Sequence, residues 1–94
     1  METLIKTRQE ANILLSSVIS ILARKYKDLR YIQILWSIGI IDSDSSGTVI
    51  DRFYEEPIDT LKRCYDNIIK ILYTTNSLYL KEEIDKLIKQ NEYK

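Results

Sequence analysis

The fold class depends on one apolar-rich run, Tyr31-Ile32-Gln33-Ile34-Leu35-Trp36-Ser37-Ile38-Gly39-Ile40-Ile41. Asp28 precedes this run as a suitable N-cap, and Gly39 within it is suited to the left-handed end of a helix. The β-branched residues would also suit a buried strand, and periodicity alone does not separate the two. The length of the run and its spacing of three and four residues favour a helix at about 29–39. Because the run is apolar on nearly every side, we expect this helix, with Trp36, at the centre of the fold.

Working outward from this run, apolar residues recur at helical spacing in three further segments, at about 3–26, 57–73 and 78–91. The residues expected to face the core are Leu4, Ala11, Leu15, Val18 and Leu22, then Ile58, Leu61, Tyr65, Ile68, Ile69 and Leu72, and finally Leu80, Ile84, Leu87 and Ile88. The sequence therefore predicts an all-α fold, a small four-helix bundle in a single domain over residues 1–94. The only long connection is an acidic loop at 42–55, between the second and third helices.

Composition excludes several classes of function. The 94 residues contain 14 basic and 14 acidic residues, no His, one Cys and two Gly. Zero net charge is not typical of a nucleic-acid-binding protein, and the absence of His removes the commonest general base and metal ligand. No run is long enough to span a membrane, no signal peptide is recognisable, and a single Cys forms no internal disulfide. We expect a soluble, cytoplasmic protein that does not bind membranes.

The loop contains one motif with metal chemistry, Asp42-Ser43-Asp44-Ser45-Ser46-Gly47-Thr48-Val49. It resembles the first eight of the twelve positions of an EF-hand calcium loop, with oxygen ligands at positions 1, 3 and 5 and Gly at position 6. The resemblance implies a calcium site formed by Asp42, Asp44, Ser46 and the backbone carbonyl of Thr48. Phe53 stands where the bidentate Glu is required, so we favour an Asp/Ser/Gly linker that binds no cofactor and keep the calcium site as an alternative.

A second motif, Arg52-Phe53-Tyr54-Glu55, immediately precedes the third helix. One interpretation is a hydrophobic staple, in which an aromatic ring folds onto the new helix. The other is a protein interface, since Tyr and Arg are over-represented among the anchors of interfaces. We also expect Arg30 to pair with Glu55 or Asp51. The candidate protein-binding residues are therefore Arg52, Phe53, Tyr54, Glu55 and Arg30.

A family resemblance includes the same residues. The segments Asp28-Leu29-Arg30-Tyr31-Ile32-Gln33-Ile34-Leu35 and Asp51-Arg52-Phe53-Tyr54-Glu55-Glu56 resemble a pattern in small uncharacterised proteins of bacteria and their phages. In that pattern, Leu-Arg-Phe-Gly-Gln-Leu precedes a short loop and Asp-x-Phe-Tyr-x-Glu. Here Tyr31-Ile32 replaces the Phe-Gly pair, and the loop is longer. The resemblance implies a compact helical domain on a mobile element and supplies no catalytic residues.

These observations predict a non-enzymatic protein-interaction module, an accessory protein of a phage or mobile element that binds a host or phage protein. No arrangement of nucleophile, base and orienting group is recognisable, and Cys64 is expected to be a packed core residue. Besides the calcium-binding domain, the alternative is a nucleic-acid-binding protein that would use basic residues of the first and last helices. Acidic neighbours dilute both basic sets, so we regard nucleic acid as the weaker alternative. The long first helix is also the expected surface if the chain forms a homo-oligomer.

Overall fold

A computed structural model describes residues 2–92, with the side chain of Glu2 left aside. The chain forms helices α1 (Glu2–Lys25), α2 (Tyr31–Ile38), α3 (Pro57–Arg63), α4 (Tyr65–Thr74) and α5 (Tyr79–Gln90). Extended pairing within residues 2–92 is limited to one isolated antiparallel bridge between Ser43 and Val49. The predicted all-α class is confirmed, and the apolar run at 31–41 is helical over residues 31–38 rather than a strand.

Helix α1, and not α2, is the centre of the fold, because α1 packs against each of the other four helices. Its buried stripe contains Ala11, Leu14, Leu15, Val18 and Leu22. Leu4 was expected in this stripe but is 47% exposed. On the side of α1 that faces α5, Thr7 is buried instead, and its hydroxyl lies 3.4 Å from the side-chain oxygen of Asn91. The stripe therefore begins one turn later than predicted.

Helix α2 lies at the edge of the fold, so its predicted central position is wrong. Ile34 and Ile38 are buried where α2 packs against α1 and α4. Tyr31 and Ile32 are exposed, and Trp36, expected in the core, is 42% exposed. An eight-residue helix is only about 12 Å long, so packing on two neighbours covers one side and leaves the rest to solvent.

The predicted third helix is divided into α3 and α4 by Cys64, so the chain forms five helices where four were expected. Cys64 has φ −92° and ψ 4°, outside the usual helical region. Hydrogen bonds nevertheless continue through it, from Cys64 N to Thr60 O and from Ile68 N to Cys64 O, both 2.9 Å. Helix α3 packs on α1 and α5, whereas α4 also reaches α2. The apolar stripe predicted for one helix is therefore shared by two helices, of which the second also packs on α2.

The remaining core follows the sequence prediction. The buried residues of α3, α4 and α5 are Ile58, Leu61, Ile68, Leu72, Leu80, Ile84 and Leu87, with Tyr65, Ile69 and Ile88 partly buried against them. Within the described residues, none of the helices is long and apolar enough to cross a membrane. The long connection between α2 and α3 packs on this core through Ile40, and it contains the residues that sequence analysis singled out.

Candidate functional site

Phe53 and Tyr54 form the tip of a tight turn just before α3. The Glu55 N–H donates to the Arg52 carbonyl at 3.0 Å, which places the two aromatic residues at the central positions of the turn. Phe53 is 81% exposed and Tyr54 is 91% exposed. Their rings meet edge to face, with centroids 4.9 Å apart and planes at 80°. Neither ring packs on α3, so the hydrophobic-staple interpretation is wrong. We call residues 52–55 the aromatic turn.

Arg52 and Glu55, the two ends of the aromatic turn, are bound within the protein. Arg52 forms a bidentate ion pair with Asp42, in which Nη2 donates to Oδ2 at 2.8 Å and Nε donates to Oδ1 at 3.1 Å. Arg52 Nη1 also lies 3.7 Å from Glu55 Oε2. Asp51 strengthens the turn, because its carboxylate accepts a hydrogen bond from the Phe53 N–H at 2.9 Å. Arg52 and Glu55, predicted to contact a partner, therefore hold the turn in place.

Arg63 on α3 completes this arrangement, although sequence analysis did not single it out. Its guanidinium donates to both carboxylate oxygens of Glu55 at 2.8 Å and lies 3.4 Å from Asp42 Oδ2. It also donates to the carbonyls of Gly39 at 2.6 Å and Ile40 at 3.2 Å. Arg63 thereby joins the end of α2, Asp42 and the aromatic turn. We call Asp42, Arg52, Glu55 and Arg63 the arginine network.

The arginine network contains two cations and two anions, so it is neutral as a unit. Hydrogen bonding to Arg63 is the main cause that lowers the pKa of Glu55, and the Thr60 hydroxyl contributes a further hydrogen bond at 2.6 Å. Hydrogen bonding to Arg52 likewise lowers the pKa of Asp42. Both carboxylates are therefore ionised at neutral pH and remain paired with the guanidinium groups. The result is a braced connector rather than a loose acidic loop.

Arg30, the remaining predicted binding residue, takes no part in this arrangement. At the start of α2, its backbone N–H donates a hydrogen bond to Gln33 Oε1 at 2.8 Å. Within residues 2–92 no ion pair links Arg30 to Glu55 or Asp51. Glu55 instead pairs with Arg52 of the aromatic turn and with Arg63 of α3.

The predicted calcium ligands are occupied by protein groups. The Asp44 carboxylate accepts hydrogen bonds from Ser46 N at 2.9 Å, Ser46 Oγ at 2.7 Å and Thr48 N at 3.0 Å. Asp42 is bound by two arginines. The segment 42–50 forms a short hairpin, closed by Asp44 N to Thr48 O at 2.9 Å, with Gly47 at a positive φ of 87°. Among the described residues no group of three or more acidic or Cys side chains is placed to hold a metal ion.

The nucleic-acid alternative requires basic residues of α1 and α5 to form one basic surface, and within residues 2–92 the groove between the two helices does not form one. A groove between these helices is lined by Lys6 and Lys86 and equally by Glu10 and Glu83. Two other cations are already paired. Arg8 contacts Glu56 at 2.8 Å, and Lys81 contacts Asp85 at 2.6 Å. This mixture of charges would attract a phosphate backbone only weakly.

The chain's thiol is placed for packing. Cys64 is 2% exposed in the core, and burial raises the pKa of its thiol. A protonated, buried thiol is a poor nucleophile.

The most distinctive surface of the described residues is therefore the aromatic turn on its arginine network. Comparisons of the chain with protein-family models, curated proteins and solved structures found no match.

Proposed function

We propose that this chain is a non-enzymatic protein-interaction module that binds a partner protein through Phe53 and Tyr54. In keeping with the sequence resemblance, the module belongs to a phage or mobile element, acts in the cytoplasm and binds a host or phage protein. The observation that supports the proposal is the exposure of two adjacent aromatic rings, 81% and 91%, on a turn whose ends are both fixed by ion pairs.

Two physical arguments connect this geometry with binding. Exposed aromatic rings bury a large apolar area when a partner covers them, and Tyr is among the residues that contribute most to interfaces. Binding is also opposed by the entropy lost when a loop becomes ordered. The arginine network orders the aromatic turn before any partner arrives, so less of the interaction free energy is lost in ordering it.

Affinity capture from a lysate of the source organism tests the proposal with a matched pair of variants. Phe53→Ala/Tyr54→Ala removes both rings and leaves every contact of the arginine network unchanged. Tyr73→Ala/Tyr79→Ala removes two tyrosines that are also exposed, on α4 and α5. We expect a partner captured by the wild type and by the control variant to be lost with Phe53→Ala/Tyr54→Ala. Equal recovery by all three proteins would contradict the proposed site.

A further inference from the structure

We infer that the partner presents a basic segment, in which Lys or Arg side chains flank an apolar residue, to the aromatic turn. This inference rests on the proposed function and specifies the chemistry of the partner. It depends on which charges around the turn are already neutralised by the protein and which remain.

The three arginines that contact the connector are already paired with its carboxylates. Arg52 and Arg63 are paired with Asp42 and Glu55, and Arg8 is paired with Glu56 through two hydrogen bonds at 2.8 and 2.9 Å. These contacts neutralise three acidic groups of the connector. They also leave no guanidinium of the arginine network free to receive a carboxylate of a partner.

Three acidic side chains in the same stretch have no cationic partner within residues 2–92. Asp44 and Asp51 accept hydrogen bonds only from N–H and hydroxyl groups of their own turns, which orient the carboxylates without cancelling their charge. Asp59 is exposed in the first turn of α3. The connector and the first turn of α3 therefore keep three negative charges without a cationic partner among the described residues, and a negative surface attracts a basic partner and repels an acidic one.

The rings favour the same partner. Tyr54 is 91% exposed, and the negative face of an aromatic ring attracts a guanidinium or ammonium group. Phe53 meets Tyr54 edge to face and adds an apolar surface beside that cation site. One apolar side chain and one or more cations on the partner would satisfy both rings and the nearby carboxylates together.

Selection from a random twelve-residue peptide library on the immobilised chain tests this inference directly. Three variants are compared with the wild type. Phe53→Ala/Tyr54→Ala removes the rings, and Asp51→Asn/Asp59→Asn removes two charges while keeping an oxygen at each position. Glu82→Gln/Glu83→Gln is the control, since it removes two exposed charges from α5. A selected peptide is then measured by fluorescence anisotropy at low and at moderate salt.

We expect the wild type to select peptides rich in Lys or Arg with an apolar residue, and Phe53→Ala/Tyr54→Ala to select none of them. The Asp51→Asn/Asp59→Asn variant should bind the chosen peptide about fivefold more weakly, and the control should bind it unchanged. Ring-dependent selection of neutral or acidic peptides would overturn the inference and leave the proposed function standing. If no peptide depends on the rings, both are overturned.

Discussion

Arg63→Gln is the substitution that most directly tests the arginine network. It removes the ion pair with Glu55 and the hydrogen bonds to the carbonyls of Gly39 and Ile40. Loss of one partner from a fully buried pair costs about 3–5 kcal/mol. The side chains of Arg63 and Glu55 keep 21% and 14% of their surface in water, which reduces this figure. Since Arg52 still offsets Glu55, we expect a loss of about 2 kcal/mol of unfolding free energy.

A loss of this size is a substantial part of the total stability. A chain of this length has an unfolding free energy of about 5–14 kcal/mol, and each kcal/mol that a substitution removes lowers Tm by about 4–8 °C. Thermal unfolding followed by circular dichroism at 222 nm should show a Tm about 8–16 °C lower for Arg63→Gln. The exposed neighbouring cation provides the control, and Lys62→Gln should change Tm by less than about 3 °C.

A double-mutant cycle with Glu55→Gln separates the ion pair from the carbonyl contacts. Gln at position 55 still accepts the hydrogen bond from Thr60, so mainly the charge is lost. We expect a coupling free energy of about 1 kcal/mol between positions 55 and 63. A coupling near zero together with an unchanged Tm for Arg63→Gln would refute the idea that the network braces the connector.

Three further outcomes follow from the same contacts. The pKa values of Glu55 and Asp42 are lowered from 4.5 and 3.8, so the two carboxylates contribute fully to folding stability above those values and lose that contribution as pH falls through their lowered pKa values. Urea unfolding should therefore show the free energy of unfolding decreasing below about pH 4.5, and a free energy that stays constant there would contradict this. Gly39→Ala should lower the free energy of unfolding, measured in urea, by about 1–2 kcal/mol, because φ is 96° and the new Cβ would lie 3.0 Å from Asn67 Nδ2. A variant as stable as the wild type would argue against the left-handed conformation at the end of α2. Because Arg52 and Arg63 occupy the Asp42 carboxylate, millimolar Ca²⁺ should leave Tm unchanged, and a clear rise would favour the calcium alternative.

The helical periodicity of the sequence was sufficient to predict the fold class and most of the core. The stripes of α1, α4 and α5 are recognisable because most residues on the other faces of these helices are polar. The position of α2 was not predictable in this way. A run that is apolar on every side indicates burial but does not tell which side is covered, and only Ile34 and Ile38 face the core. No Gly or Pro marks the break at Cys64, after which α4 packs on α2 as well as on the helices α1 and α5 that α3 also contacts.

The site was predictable in part. Turn-forming composition and adjacent aromatics drew attention to 52–55, but local sequence did not reveal that Arg52 and Glu55 form ion pairs within the protein. Arg63 was missed because it contacts residues 8 and 24 positions away, and no short spacing rule connects them. One indirect indication was present. Residues 28–60 contain two basic and seven acidic residues, so cations to balance this connector had to come from another segment.

The burial of Cys64 makes the chain a convenient reporter of its own fluctuations. Since this is the only thiol and it lies in the core beside Arg63, a thiol reagent reaches it only when the α3–α4 junction opens. The labelling rate under native conditions would therefore measure the free energy of that local opening. By the same reasoning, a cysteine introduced at the exposed Ser46 would react first, which allows a fluorophore to be attached at a single chosen point on the folded protein.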